Sequence, residues 1–67
     1  MELKVNGALE QQDDGQTVST LLKLHQLDGS SGIAVAVNET VVPRSDWSNT
    51  TLADGDVVEI IHAVQGG

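Results

Sequence analysis

The sequence contains no cysteine, no phenylalanine and no tyrosine, and only one tryptophan, one proline and three basic residues. Each shortage removes a class of function. Without cysteine sulfur there is neither a disulfide framework nor a thiolate metal site. Lys4, Lys23 and Arg44 stand against ten Asp plus Glu, for a formal net charge of −7. Nucleic-acid phosphates would be repelled, and one aromatic ring makes no stacking surface. An anionic membrane surface is an equally poor partner. The longest apolar run, Ile33 to Val37, is too short to span a bilayer. The opening Met1-Glu2-Leu3-Lys4-Val5 lacks the basic region and apolar stretch of a signal peptide, so the expected location is the cytoplasm.

What remains is a short, acidic chain with enough aliphatic side chain to fold. Its 67 residues fit one small domain. Apolar residues make up 39%, mostly Val, Ile and Leu, so the charge does not impose disorder. A domain this short buries about 60% of its unfolded surface, and its stability is expected near ~5 kcal/mol.

Leu3-Lys4-Val5 alternates apolar and polar, as a strand with one buried face does. Asn6-Gly7 is a favoured pair for a two-residue turn in which both positions need positive φ. Ala8 to Gln12 then returns antiparallel, with Leu9 expected to face the core, until Asp13-Asp14-Gly15 ends the strand. Thr17 stands at a helix N-cap position before Val18, Leu21 and Leu22, which share a face at i, i+3 and i+4. His25 extends that face. Thr20 occupies the place where Glu or Gln would complete a capping box, so the box reads as incomplete. Gly29 fits the left-handed residue that stops a helix, giving one helix of about three turns over 17–28.

Ile33-Ala34-Val35-Ala36-Val37 places three β-branched residues on one face and two alanines on the other, a pattern suited to a central strand under a helix. Asn38-Glu39 makes a turn, and Thr40-Val41-Val42 returns before Pro43 removes a ladder donor. Ser45 to Thr51 reads as irregular, anchored by Trp47. Asp54-Gly55-Asp56 turns into a last strand from Val57 to Ile61 or slightly beyond. The order is a hairpin, one crossing helix and further strands. It is the α+β β-grasp arrangement, a mixed sheet of four to five strands with one helix across it, with a small barrel as the alternative that element order leaves open. Residues 1–64 are expected to form the domain, and 65–67 a flexible tail.

No catalytic constellation stands out. Nucleophilic catalysis needs a nucleophile with a base in reach, and no serine lies in a strained, glycine-flanked elbow. His25 reads as a half-buried helix residue and His62 as a solvent-facing strand residue. Asp54 and Asp56 flank a glycine as turn formers. A hard cation needs six or more oxygen ligands, and no such loop is present, so no metal is expected. The chain is read as a non-enzyme.

The remaining feature is Gly66-Gly67. Two glycines cannot pack in a core, and they leave the last carboxylate unshielded by any Cβ. Such a tail can enter a narrow channel in another protein, where activation as an acyl-adenylate turns a poor electrophile into a good one.

Several segments together resemble the ThiS sulfur-carrier family, within the ubiquitin-like β-grasp group. They are Gly15-Gln16-Thr17-Val18 with Leu21-Leu22, Ala36-Val37-Asn38-Glu39 through Val42-Pro43-Arg44, Trp47, Leu52, Asp54-Gly55-Asp56-Val57-Val58-Glu59-Ile60 and the final Gly66-Gly67. The resemblance covers essentially the whole chain. Some relatives carry a phenylalanine shortly before the tail, where this chain has His62, Ala63 and Val64. The resemblance implies that a ThiF-like enzyme adenylates the Gly67 carboxylate with ATP. Sulfur from a cysteine-based donor then makes a thiocarboxylate, and a ThiG-like thiazole synthase of thiamine biosynthesis receives the sulfur. Gly67 is then the carrier residue and Gly66 its slim spacer. The chain itself binds no cofactor, since the activating partner uses the ATP.

One docking expectation comes from alternation alone. If Glu59 points to water, Val57 and Ile61 share its face while Val58 and Ile60 face the core. One of Val41 and Val42 must also face outward. An exposed apolar patch around Val41, Val57 and Ile61 is therefore expected to dock the activating enzyme. Three other readings stay open on the sequence: a molybdopterin-synthase-type sulfur carrier, a protein modifier joined to lysines, and a β-grasp interaction module with inert glycines.

Overall fold

The computed structural model describes residues 1–29 and 31–62. The domain boundary expected at 64 and the tail at 65–67 lie outside the described residues. The element order is β1 (Glu2–Val5), β2 (Ala8–Gln11), α1 (Val18–Leu24), β3 (Ile33–Val37), β4 (Thr40–Val42), a 3₁₀ helix (Arg44–Asn49) and β5 (Val57–His62). The five strands form one mixed sheet in the order β2-β1-β5-β3-β4. β5 runs parallel to β1 and antiparallel to β3, so the last strand among the described residues sits in the middle of the sheet. β3 is also an interior strand, held between β5 and β4.

One face of the sheet is apolar because alternation puts Leu3, Val5, Ile33, Val35, Val58 and Ile60 on it. Val18, Leu21 and Leu22 of α1 cover that face and join the same core cluster, together with Trp47 and Leu52. Burying a Val, Leu or Ile side chain contributes about 1.5–3 kcal/mol each, so this single cluster holds the small domain together. The stretch expected to be irregular folds as the 3₁₀ helix, and Trp47 anchors it: its indole Nε1–H donates to the Val42 carbonyl at 2.9 Å. The Arg44 guanidinium lies 4.9 Å from the ring centroid, a cation–π contact on the exposed side.

Both hairpin turns use left-handed residues. Asn6 and Gly7 have φ of 50° and 85°, and Asn38 and Glu39 have 51° and 70°, as the type I′ geometry requires. The first turn fixes a register that corrects the expectation for Leu9. With Val5 opposite Ala8 and Lys4 opposite Leu9, Leu9 shares the face of Lys4 rather than that of Leu3 and Val5. It is 67% exposed.

The helix is shorter than expected, Val18–Leu24, and ends on His25. Gln26, not Gly29, takes the left-handed position, with φ of 61°. The Gln26 N–H donates to the Lys23 carbonyl at 3.0 Å and the Leu27 N–H to the Leu22 carbonyl at 2.8 Å, the two bonds of a Schellman ending. Leu27 packs back against the core and completes that stop. His25 is therefore an exposed cap rather than an extension of the buried stripe. At the other end the capping box is complete. The Thr20 N–H donates to Thr17 Oγ1 at 3.2 Å, and Thr20 Oγ1 accepts from the Thr17 N–H at 2.8 Å. A threonine hydroxyl does the work expected only of Glu or Gln.

Candidate functional site

The uncovered face of the sheet carries the residues singled out for docking. Along β5 the burial alternates, with Val58 and Ile60 inside and Val57, Glu59 and Ile61 outside. Glu59 lies opposite Ala36 of β3, and Ala36 lies opposite Val41 of β4. Directly opposed residues share a face, so Val41, Ala36 and Glu59 form one row across the sheet. Ile61 lies opposite Ala34 in the next row. Val41, Val57 and Ile61 are 70%, 39% and 55% exposed. The structure brings all three onto one surface, with the small side chains of Ala34 and Ala36 between them and one carboxylate, Glu59, in their midst.

Two side-chain amides lock this surface. Asn6 ends the pairing of β1 with β5. Its Oδ1 accepts from the Ile60 N–H at 2.7 Å, and its Nδ2 donates to the Ile60 carbonyl at 3.2 Å, replacing one rung of the ladder. Asn38 does the equivalent on the β3 side. Its Oδ1 accepts from the Val57 N–H at 2.9 Å and its Nδ2 donates to Asp56 Oδ1 at 2.9 Å. Asp56 in turn accepts from the Ala53 N–H through Oδ2 at 2.8 Å. Asp54 Oδ1 accepts from the Glu2 N–H at 2.7 Å. Both aspartates thus brace the turn into β5, as turn formers do. The roles of Asn6 and Asn38 beyond their turns were not foreseen. The only signal for them is that each asparagine opens a tight turn immediately beside β5.

The two histidines are far from any nucleophile–base arrangement. His25 Nε2 lies 3.0 Å from the Glu10 carboxylate and ties the end of α1 to β2. His62 is exposed at the end of β5, opposite Ile33. No group of three or more His, Asp or Glu placed to hold a metal ion occurs among the described residues. None of their helices is long and apolar enough to cross a membrane. Gly66 and Gly67, the predicted spacer and carrier residues, lie outside the described residues. β5, the strand that leads to them, is the central strand of the sheet.

A central strand leading to a diglycine, on a sheet with one crossing helix, is matched along its whole length by one family model. That model, described as the ThiS family, matches residues 2–67. The chain belongs to the ThiS family. The sulfur carrier protein ThiS of Escherichia coli (strain K12) is 37% identical over 68 residues, covering 100% of both chains. The sulfur carrier protein ThiS of Bacillus subtilis (strain 168) is 32% identical over 66 residues, covering 97% of this chain and 98% of its own. The crystal structure of the thiamine biosynthesis protein ThiS from Geobacter metallireducens superposes with a TM-score of 0.85 at 32% identity, with 100% of both chains covered. The NMR solution structure of a thiamine biosynthesis protein from the same organism gives a TM-score of 0.80, covering 100% of this chain and 88% of that one. The β-grasp fold of the ThiS family is therefore the fold of this chain.

Proposed function

We propose that this chain is the sulfur carrier for thiazole formation in thiamine biosynthesis, acting in the cytoplasm as a substrate of other enzymes. The observation that carries this reading is the ThiS family match through residue 67, which includes the diglycine. A carboxylate oxygen of Gly67 attacks the α-phosphorus of ATP on a ThiF-like enzyme, and pyrophosphate leaves. A persulfide sulfur of a cysteine-based donor then displaces AMP from the acyl-adenylate to give an acyl disulfide, and a second thiol attacks the donor's own sulfur, forming a disulfide with it and releasing the thiocarboxylate. A ThiG-like synthase accepts the sulfur. Gly66 contributes the absence of a side chain, so that the backbone can pass through a narrow channel. No cysteine of the carrier competes for the sulfur.

The domain's task in this scheme is presentation. The exposed surface of Val41, Val57 and Ile61 supplies apolar contact with the adenylating enzyme. Val57 and Ile61 lie on the strand that leads to Gly67, so docking there aims the tail. The net charge of −7 favours a partner with a basic docking surface and an association rate that falls with salt.

Intact-mass spectrometry of the protein isolated from its native cells tests the reading. Replacement of one oxygen by sulfur at Gly67 is the expected result. Conjugates to lysines of other proteins, or an unmodified terminus together with no ATP-dependent adenylation, would overturn it.

A further inference from the structure

Asn6 and Asn38 are matched by more than their hydrogen bonds. Each opens a two-residue turn in the left-handed conformation, with φ of 50° and 51°. Each spends its amide on β5 or on the turn that leads into it. They differ in the next residue, which is Gly7 after Asn6 and Glu39 after Asn38. That difference bears on a chemistry open to any asparagine. The backbone nitrogen of the following residue attacks the side-chain Cγ, ammonia leaves, and a five-membered succinimide closes. Water then opens the ring at either carbonyl, giving aspartate or isoaspartate. A side chain on the following residue crowds the attacking nitrogen, and Gly7 has none.

The fold blocks this path at Asn6 twice. Ring closure needs the Gly7 nitrogen eclipsed with the Asn6 Cβ about the Cα–C bond. In the left-handed conformation of a type I′ turn ψ is about +30 to +50°, which sets that nitrogen nearly opposite Cβ. The amide itself is also held. Its Oδ1 accepts from the Ile60 N–H at 2.7 Å and its Nδ2 donates to the Ile60 carbonyl at 3.2 Å. Both bonds must break, and the turn must open, before Cγ can meet the Gly7 nitrogen.

We propose that Asn6 is a deamidation site that the folded domain keeps shut, and that its conversion unfastens the outgoing half of β5. The product cannot remake what was lost. An aspartate carboxylate only accepts, so one of its oxygens would face the Ile60 carbonyl oxygen where Nδ2 now donates. Isoaspartate adds a methylene to the main chain of a two-residue turn that sets Val5 opposite Ala8. β1 pairs with β5 only at Val57 and Val58, so the Asn6 amide is what extends that side's hold to Ile60. An opening of the turn is thus recorded irreversibly on the strand that leads to Gly67. This holds whether or not the chain carries sulfur.

The test follows the unsubstituted full-length chain in mildly alkaline buffer, with and without enough urea to unfold it. Peptide mapping by mass spectrometry counts amide-to-acid conversion at Asn6, Asn38 and Asn49. In urea Asn6 should convert well ahead of the other two, which Glu39 and Thr50 follow. In the folded protein its rate should fall by about tenfold or more, since reaction then waits on the open fraction. Equal rates in the two states overturn the gate. Conversion of Asn38 as fast as Asn6 in urea overturns the site. The variant Asn6→Asp tests the consequence, and its unfolding constant at neutral pH should rise about fivefold to tenfold. The gap from the parent should narrow as pH falls through the carboxylate range, because a protonated Asp can again donate to the Ile60 carbonyl. An unchanged constant overturns the unfastening of β5. The rate comparison needs no variant, so it decides the site even where Asn6→Asp fails to fold.

Discussion

The two faces of β5 carry nearly the same chemistry and meet opposite fates. Val58 and Ile60 point inward and are buried, while Val57 and Ile61 point outward and are exposed. Inside, α1 brings Val18, Leu21 and Leu22 down onto the sheet and completes a dry core. Outside, no element of the described chain crosses the sheet, and between Val57, Ile61 and Val41 lie only Ala34, Ala36 and the Glu59 carboxylate. A small domain has little aliphatic side chain to spare, and β5 leaves two β-branched residues in water. Inner residues of this strand hold the fold; outer ones are free to serve a partner. Substitutions on the two faces should therefore separate stability from activity.

The largest effect is expected at Ile61. Ile61→Asp places a charge within the apolar docking surface while adding nothing to the core, so adenylation by the ThiF-like enzyme should be abolished. The fold should survive with a loss of about 1 kcal/mol, because Asp is disfavoured in a strand while the buried core is untouched. Normal adenylation of this variant would remove Val41, Val57 and Ile61 from the docking surface. On the opposite face the pattern should invert. Leu22→Ala deletes a side chain buried in the centre of the helix–sheet contact and should cost about 2–5 kcal/mol in urea unfolding. Against a total near ~5 kcal/mol, that is enough to unfold a sizeable fraction of the protein at 37 °C. The folded fraction should still be adenylated with ordinary kinetics.

How much of this was legible before the structure depends on how far each signal reaches along the chain. The outward set of β5 follows from alternation around one charged residue, Glu59, the type I′ turn at Asn6-Gly7 follows from that pair, and Asn38-Glu39 reads as a turn whose type only the structure gives. Those signals are local and strong. Leu9 departs from its expected place because the two-residue turn, and not its apolar character, decides the face it takes. Once Val5 is opposite Ala8, Leu9 must sit opposite Lys4, whatever its side chain prefers. The capping box departs from its template in a similar way: the template names Glu or Gln, whereas the geometry asks only for an acceptor at the right reach, which Thr20 supplies. The docking residues were visible as a pattern. The locking of that face by Asn6 and Asn38 was not, because their partners in β5 lie 54 and 19 residues away in sequence.

The end of the helix sets a residue's preference against a tertiary contact. Gln26 holds φ of 61°, where an L-residue with a Cβ is disfavoured by roughly 1–2 kcal/mol, and Gly29 is only three residues further on. Continuing the helix to that glycine would spare Gln26 the strain. It would also carry Leu27 around the helix and away from the core against which it now packs. Burial of Leu27, with the two Schellman bonds to Leu22 and Lys23, offsets the strained residue. Gln26→Gly should relieve the strain and keep both bonds, since they use the backbone alone. Glycine's larger entropy loss on folding takes back part of the gain, leaving about 0.5–1 kcal/mol of added stability in urea unfolding. A loss of stability in this variant would mean that the Gln26 side chain contributes more than its backbone strain costs. Adenylation should not change in either case, because the helix end lies on the covered side of the sheet, away from Val41, Val57 and Ile61.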